Sequence, residues 1–328
     1  MAARCSMSAS KKKTVKVKAE INLLGSLLML TQKHDTSLEQ LFKYPLQPIP
    51  WVLSTADGAL VKTDKSHQML QCLKALMEGH TASQPDTCVH IVDGNTLALL
   101  QSIVRLPETF EGLAMCIFSS LPAVQIMHFV TDNYVENSIK DTERVRRGTS
   151  QTYLIGGNKT KPLRDFKMSM RSSDNKRQLT KFLLKEWQSD RYAARLCDRT
   201  VFFVCERDCM CLTSEDGLTV TATSVLELVS NQEEADSRIV LHCLYASKCL
   251  AISNRIVVNS LDTDVFVLLP YYSSQIPQPR FFDTGCGNQR RQLDIHKCAS
   301  ELDLSICSAL PAFHAFTGCD STSAFARK

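Results

Sequence analysis

The sequence predicts an α/β protein with three layers, in which a mostly parallel central sheet carries helices on both faces. Two observations predict this fold class. From Cys88 onward, short apolar segments typical of strands alternate with longer segments typical of helices. An aspartate follows several of the strand-like segments. Open α/β sheets bind their ligands at this place, beyond the carboxyl ends of the strands.

The composition is that of a globular protein. The chain has 328 residues, of which 44% are hydrophobic and 22% are charged. No apolar run is long enough to cross a membrane, and no secretory signal follows Lys11–Lys13. We therefore predict an intracellular protein, nuclear or cytoplasmic, with no membrane partner. The 14 cysteines could form disulfides, but many lie in apolar runs where reduced thiols pack as small hydrophobes.

The chain divides into three predicted regions. Residues 1–18 are basic and are predicted to be a disordered tail. Residues 19–85 show helical spacing of apolar residues, interrupted near Pro45 and Pro48, and are predicted to be a helical N-terminal extension. Residues 86–328 are predicted to form the α/β domain.

Strands and helices alternate within the predicted α/β domain. The predicted strands cover residues 88–92, 124–130, 201–205 and 255–259. The predicted helices cover residues 96–104, 136–147 and 174–194, and a further helix begins near Gln232. Ser230 and Glu233 precede that last helix with the spacing of a capping box.

Acidic residues follow the ends of the predicted strands. Asp93 and Asp132 each follow one strand, and Asp262 and Asp264 follow another. Because the carboxyl ends of parallel strands share one edge of a sheet, we expect these carboxylates to lie close together. Crowded carboxylates repel one another unless cations neutralise them, so the pattern predicts a site for Mg²⁺ or Mn²⁺. Glu234 and Asp236, in the helix near Gln232, and Asp320, in a late loop, are further candidates.

One segment of the chain is strongly basic. Lys140 to Arg195 contain fifteen Lys and Arg against six Asp and Glu, a net charge of +9, whereas the whole chain carries +4. Such a distribution predicts a surface for a polyanion beside the metal site. The alternative is a solvated helical face.

The order of the acidic motifs resembles that of the PIN-like superfamily, and within it the XPG/flap-endonuclease branch. That order is Asp93, Asp132, Glu234-Ala235-Asp236, Asp262-Thr263-Asp264 and Gly318-Cys319-Asp320. The segments 233–240 and 314–323 also resemble a set of animal proteins, many of them related to mobile elements.

The resemblance covers roughly residues 86–325 and implies a PIN-like domain that cleaves DNA or RNA as a divalent-metal-dependent nuclease. It implies two Mg²⁺ or Mn²⁺ ions and a catalytic, metal-binding role for all seven acids: Asp93, Asp132, Glu234, Asp236, Asp262, Asp264 and Asp320. Lys140 and Arg146, with Arg144 or Arg147 as substitutes, would hold the scissile phosphate. The helical duplex-binding motif that follows in flap nucleases is missing after Asp320. Either the domain at 86–328 is truncated at its C-terminus, or it binds a duplex in a different way.

Other functions remain open from the sequence. A catalytically silent nucleic-acid-binding or scaffold protein could retain the PIN-like fold. Asp262-Thr263-Asp264 also fits haloacid-dehalogenase phosphatases and glycosyltransferases, but a glycosyltransferase site would leave Asp93, Asp132 and Asp320 without a role. A zinc site at Cys205, Cys209 and Cys211 lacks a second pair of ligands. The turn at 285–288 with Arg290 and Arg291 could contact phosphate, although a plain turn is the favoured interpretation.

Overall fold

The computed structural model describes residues 5–8, 14–17, 28–29, 31–33, 37, 39, 88–94, 106–135, 152, 154–162, 165–249, 254–285 and 290–317. The chain folds as two compact units, residues 1–68 with 312–328 and residues 69–311. No helix among the described residues is both long and apolar enough to span a membrane.

The first unit contains a short antiparallel pair, β1 (Cys5–Ser8) and β2 (Thr14–Val17), in which Cys5 lies opposite Val17. The sequence predicts a disordered tail here, but the β-branched residues of Thr14–Val17 favour a strand. The predicted helical extension at 19–85 lies almost entirely outside the described residues. The described positions 28–29 and 31–33 are helical.

The second unit contains an eight-stranded sheet. Its strands are β3 (Cys88–Asp93), β4 (Ile126–Val130), β5 (Thr200–Cys205), β6 (Asp208–Thr213), β7 (Thr221–Ser224), β8 (Arg255–Asn259), β9 (Arg280–Thr284) and β10 (Arg291–Asp294). They lie in the order β10-β9-β8-β3-β4-β5-β6-β7. The five central strands are parallel, and β10, β6 and β7 are antiparallel to their neighbours. The prediction of a mostly parallel sheet is therefore confirmed.

The chain reverses its direction of travel across the sheet beside β3. It runs from β3 to β4 and β5 on one side, and later returns to β8 and β9 on the other side. The boundary between β3 and β8 is therefore a topological switch point, where the loops beyond the carboxyl ends of the strands diverge and leave a crevice for a ligand. We call the margin of the sheet where the parallel strands finish the carboxyl edge.

Helices cover both faces of the sheet. In chain order they are α1 (Phe110–Ser120), α2 (Phe166–Ser169), α3 (Ser173–Trp187), α4 (Ala193–Leu196), α5 (Ala235–Cys249), α6 (Thr263–Tyr271), α7 (Ile295–Glu301) and α8 (Leu304–Thr317). Residues of α5, α6 and α7 pack into one hydrophobic cluster with the sheet, and residues of α1 and α3 pack into a second cluster. We call these the α5 face and the α1 face.

Alternation along the central strands explains their nearly continuous apolar sequence. In β3, Val89 and Ile91 belong to the cluster on the α5 face, whereas Val92 belongs to the cluster on the α1 face. A strand buried on both faces requires apolar residues at successive positions. The same alternation decides which polar residues at the strand ends point to each face.

An aromatic cluster fixes the end of α3. Trp187 is fully buried, packs edge-on against Phe118 and Phe203, and donates a hydrogen bond from Nε1 to the carbonyl oxygen of Ala114 at 3.3 Å. The sequence predicts one helix over 174–194, but α3 ends at Trp187 and a 3₁₀ turn at 190–192 precedes α4. Tyr192 lies five residues after Trp187, a spacing that a straight helix would not place on the same face. The break allows both rings to enter this cluster.

Several predicted elements differ from the structure. The last predicted helix begins at Ala235 rather than near Gln232. The sequence did not predict β6, β7, β9 and β10; all four residues of β7 are exposed and therefore show no apolar alternation. The helices predicted at 96–104 and 136–147 lie outside the described residues, as does the segment 318–328.

Gly94 allows β3 to end against β4. Its amide donates to the carbonyl oxygen of Val130 at 2.6 Å, and a Cβ atom on Gly94 would lie 2.8 Å from that oxygen and 2.7 Å from Cγ2 of Thr131. We expect Gly94→Ala to lower the free energy of unfolding by about 1–3 kcal/mol, because backbone must move to relieve the overlap. Gly156→Ala is the matched control, since its nearest contact would be an ordinary 3.5 Å. Urea unfolding measures both, and equal stabilities would contradict the expectation.

Candidate metal centre

Ser260 connects the end of β3 to the loop after β8. Its hydroxyl donates to Oδ2 of Asp93 at 2.8 Å and accepts the amide of Asp262 at 3.0 Å. Ser260 is 6% exposed, so neither bond competes strongly with water. One hydroxyl therefore sets the position of Asp93 relative to Asp262.

Asp262 and Asp264 are positioned by the start of α6. Asp262 is the N-cap residue, and its Oδ1 accepts the amide of Asp264 at 2.9 Å. Asp264 lies in the first turn, where the helix dipole favours a negative charge. The helix start thus stabilises two carboxylates close to each other.

Asp132 caps α5 from a different strand end. Its Oδ1 accepts the amide of Ala235 at 3.0 Å, and the amide of Asn133 donates to the carbonyl oxygen of Glu233 at 2.7 Å. The predicted capping box is wrong, because the Ser230 hydroxyl instead accepts the amide of Gln232 at 3.2 Å, before the helix begins. Asp132 thus accepts a helical amide that has no partner within the helix. The same bond fixes the position of the first turn of α5, which carries Asp236.

Three carboxylates meet at the carboxyl edge. Oxygen atoms of Asp236, Asp262 and Asp264, which we call the acid triad, lie within 4.8 Å of one another. Asp236 is the most buried of the three, Asp264 is partly buried and Asp262 is exposed. Mg²⁺, Mn²⁺ and Ca²⁺ prefer oxygen ligands such as carboxylates, so three such oxygen donors at this spacing fit one of these ions. The acid triad could therefore hold a metal ion.

Asp93 and Asp132 belong to the same electrostatic environment. Burial raises the pKa of Asp236 to about 8, and the charges of Asp262, Asp264, Asp93 and Asp132 contribute to the increase. The four other acids therefore lie close enough to Asp236 for their charges to act on its carboxyl group. We call the acid triad together with Asp93 and Asp132 the acidic cluster.

The other predicted site residues are Glu234 and five residues outside the described part of the chain. Glu234 precedes α5 by one residue and is not part of the acid triad. Asp320 lies outside the described residues, and so do Lys140, Arg144, Arg146 and Arg147. The ten cysteines whose side chains the structure describes are free thiols, and Cys205, Cys209 and Cys211 form no metal-binding group among the described residues.

Sequence reasoning missed polar residues that support the carboxyl edge. Ser260 lies directly after β8 and two residues before Asp262, so its position was visible in the sequence although its bond to Asp93 was not. His90, Asn259 and Asp283 are also buried or half-buried near this edge. Nothing in the local sequence pattern distinguishes them from ordinary strand residues.

The fold and the site together define an α/β protein with an acidic cluster at the topological switch point of a mostly parallel sheet. No protein-family model matches the chain, and no curated protein is similar to it in sequence.

The raised pKa of Asp236 predicts a pH dependence of stability in metal-free protein. The ordinary pKa of an aspartate is 3.8 and that of folded Asp236 is about 8, so the folded state binds the extra proton between these values. The free energy of unfolding should therefore fall as pH rises through this window. Asp236→Asn should reduce the fall by at least about 1 kcal/mol, since one pKa unit corresponds to about 1.4 kcal/mol.

Urea unfolding in EDTA between pH 5 and about pH 8.5 measures this effect. Asp198→Asn is the matched control, because Asp198 is exposed and asparagine tolerates its positive φ of 59°. A pH dependence that is the same in wild type and Asp236→Asn would contradict the raised pKa.

Ser260→Ala should weaken binding of Mn²⁺ by about tenfold or more, because residues that orient metal ligands typically affect affinity by this amount. Isothermal titration calorimetry measures the affinity. Ser300→Ala, which removes an exposed helical hydroxyl bonded to the carbonyl oxygen of Lys297, serves as the control. Unchanged affinity in Ser260→Ala would show that Asp93 and Asp262 do not need the Ser260 hydroxyl to bind the metal ion.

Proposed function

We propose that this protein is a divalent-metal-dependent nuclease that hydrolyses phosphodiester bonds of structured or single-stranded nucleic acid by a two-metal mechanism. One observation carries the proposal. Carboxylates at the ends of β3, β4 and β8, together with Asp236 from the first turn of α5, interact at one edge of a parallel sheet. The order of the acidic motifs in the sequence, which resembles that of PIN-like nucleases, also supports the proposal.

The number of acids supports two ions rather than one. A Mg²⁺ ion in a phosphoryl-transfer site usually keeps several waters and takes one or two carboxylates. The acidic cluster contains five carboxylates, of which the acid triad forms the tightest group. Two divalent ions held by these acids would acidify a bound water and stabilise the leaving oxygen of a phosphodiester.

The chain's own residues prepare the carboxylates for this role. Asp132 and Asp262 each accept a helical amide through Oδ1, which orients the carboxylate. Ser260 holds Asp93 through Oδ2. Asp236 keeps a proton until a cation lowers its pKa, so metal binding should release a proton.

A basic helix near the acids supports a nucleic-acid substrate. Nζ of Lys176, at the end of the first turn of α3, lies 5.8 Å from the ring centre of Tyr134, which is two residues after Asp132. Lys181 and Lys185 follow along the helix and are exposed. Lys181 pairs with Glu206 at 2.8 Å, but exposed ion pairs of this kind contribute little and exchange readily with another anion.

Cleavage assays with labelled single-stranded, flap and hairpin substrates test the proposal. We expect Mn²⁺- or Mg²⁺-dependent cleavage that EDTA abolishes. Asp262→Ala/Asp264→Ala should reduce the rate by about 100-fold or more, because metal ions contribute several kcal/mol to such reactions and about 1.4 kcal/mol corresponds to tenfold.

The matched control is Glu215→Ala/Glu227→Ala, which removes the same charge from exposed positions outside the acidic cluster. Equal cleavage by both double variants would identify a contaminating nuclease or a different site, and would contradict the proposal. Binding of nucleic acid without any metal-dependent cleavage would favour the catalytically silent alternative.

A further inference from the structure

A second polar group lies at the carboxyl edge, on the α1 face of the sheet. Nδ1 of His90 lies 2.9 Å from Oδ1 of Asn259, and Nδ2 of Asn259 donates to Oδ2 of Asp283 at 2.7 Å. These residues belong to the neighbouring strands β3, β8 and β9, in which Val257 and Phe281 share their face. The group therefore fixes the Asp283 carboxylate from within the sheet.

Arg290 completes this group from the surface. Its Nε donates to both carboxylate oxygens of Asp283, at 3.0 and 3.1 Å, and its Nη2 donates to Oδ2 at 2.5 Å. The Asp283 side chain is 6% exposed, whereas the Arg290 side chain is 57% exposed. A buried carboxylate thus holds an exposed guanidinium in one orientation.

The bonds to Asp283 leave part of the guanidinium available. A guanidinium has five N–H groups, and a carboxylate that binds Nε and Nη2 uses two of them. Asp283 does not use the other N–H groups, and the Arg290 side chain is 57% exposed. Asp283 also raises the pKa of Arg290, so this residue keeps its positive charge. A positively charged, fixed fork of this kind matches the geometry of a phosphate.

Asp283, which holds Arg290, lies on the strand next to the one that leads to Ser260 and Asp262. The amide of Ser260 donates to the carbonyl oxygen of Asp283 at 3.2 Å, and the hydroxyl of the same serine donates to Asp93. Neighbouring strands are about 4.8 Å apart, and a nucleic-acid strand carries one phosphate per about 3.4 Å of helical rise. A strand with one phosphate at the acidic cluster that crosses this edge toward the α1 face would bring another phosphate to Arg290 within about a few nucleotides.

We propose that Arg290 binds a backbone phosphate of the nucleic-acid strand, next to the phosphate at the acidic cluster. This assignment rests on the proposed nuclease function and adds a positively charged contact to a site that otherwise repels its substrate. Asp283, Asn259 and His90 are positioning residues, because they hold the guanidinium and do not themselves reach the strand. The sequence favours a plain turn ahead of Arg290, but the buried carboxylate behind its guanidinium supports the phosphate contact.

Binding of a fluorescent single-stranded oligonucleotide in EDTA, measured by anisotropy at several salt concentrations, tests the assignment. We expect Arg290→Gln to weaken binding about three- to tenfold and to reduce the slope of log K against log salt by about 0.7, the value for one phosphate contact on a single strand. Arg290→Lys should keep the slope but bind less tightly, because lysine lacks the fork.

Arg291→Gln is the matched control. Arg291 is exposed and adjacent in sequence, and lies opposite Thr284 rather than on Asp283. It should change affinity less than twofold, a ratio that about 0.4 kcal/mol would produce. Urea unfolding checks that each variant is folded. If Arg290→Gln is unfolded because Asp283 loses its partner, the affinity and salt slope of Arg290→Lys decide the result.

The two proposals fail in different ways. If wild type cleaves but Arg290→Gln and Arg291→Gln bind alike, the Arg290 assignment is overturned and the nuclease function stands. If wild type binds in an Arg290-dependent way but never cleaves with Mn²⁺, the nuclease function is overturned alone. A mononucleotide that displaces the oligonucleotide at equal phosphate concentration would also overturn the assignment to a strand.

Discussion

Repulsion among five carboxylates at one sheet edge is the constraint on which the site depends. Folding gathers these groups although burial, together with the charges of the four neighbouring acids, raises the pKa of Asp236 to about 8. The chain offsets part of this cost with amide and hydroxyl donors. Ala235 and Asp264 donate amides to Asp132 and Asp262, and Ser260 donates its hydroxyl to Asp93. A bound cation would offset the rest.

The sheet provides the rigid support that such a cluster needs. Its central strands are apolar on both faces, so α5 and α1 exclude water from either side. Gly94 lets β3 end in contact with Val130, which brings the Asp93 and Asp132 strand ends together. The hydrophobic packing of the layers therefore offsets the unfavourable free energy of placing these carboxylates close together.

Alternation of side chains gives the carboxyl edge two different chemical faces. Asp93 and Ser260 point to the α5 face, where Asp236 lies, whereas Asn259 and Asp283 point to the α1 face, where Arg290 lies. Asn259 and Ser260 are adjacent in sequence, yet Asn259 bonds to Asp283 on one face and Ser260 bonds to Asp93 on the other. The edge thus carries an acidic surface on the α5 face and a fixed positive charge on the α1 face.

The sequence by itself determined the fold class, the strand at 255–259 and the strand-end positions of Asp93, Asp132, Asp262 and Asp264, because apolar alternation and strand-end acids are local patterns. It did not determine β7 or β9, which lack that pattern, nor the start of α5, since Asp132 caps it from 103 residues away. Only the tertiary structure decided that Ser260 binds Asp93 across 167 residues and that His90 meets Asn259 across 169. Such contacts depend on strand register, which a single sequence does not encode locally.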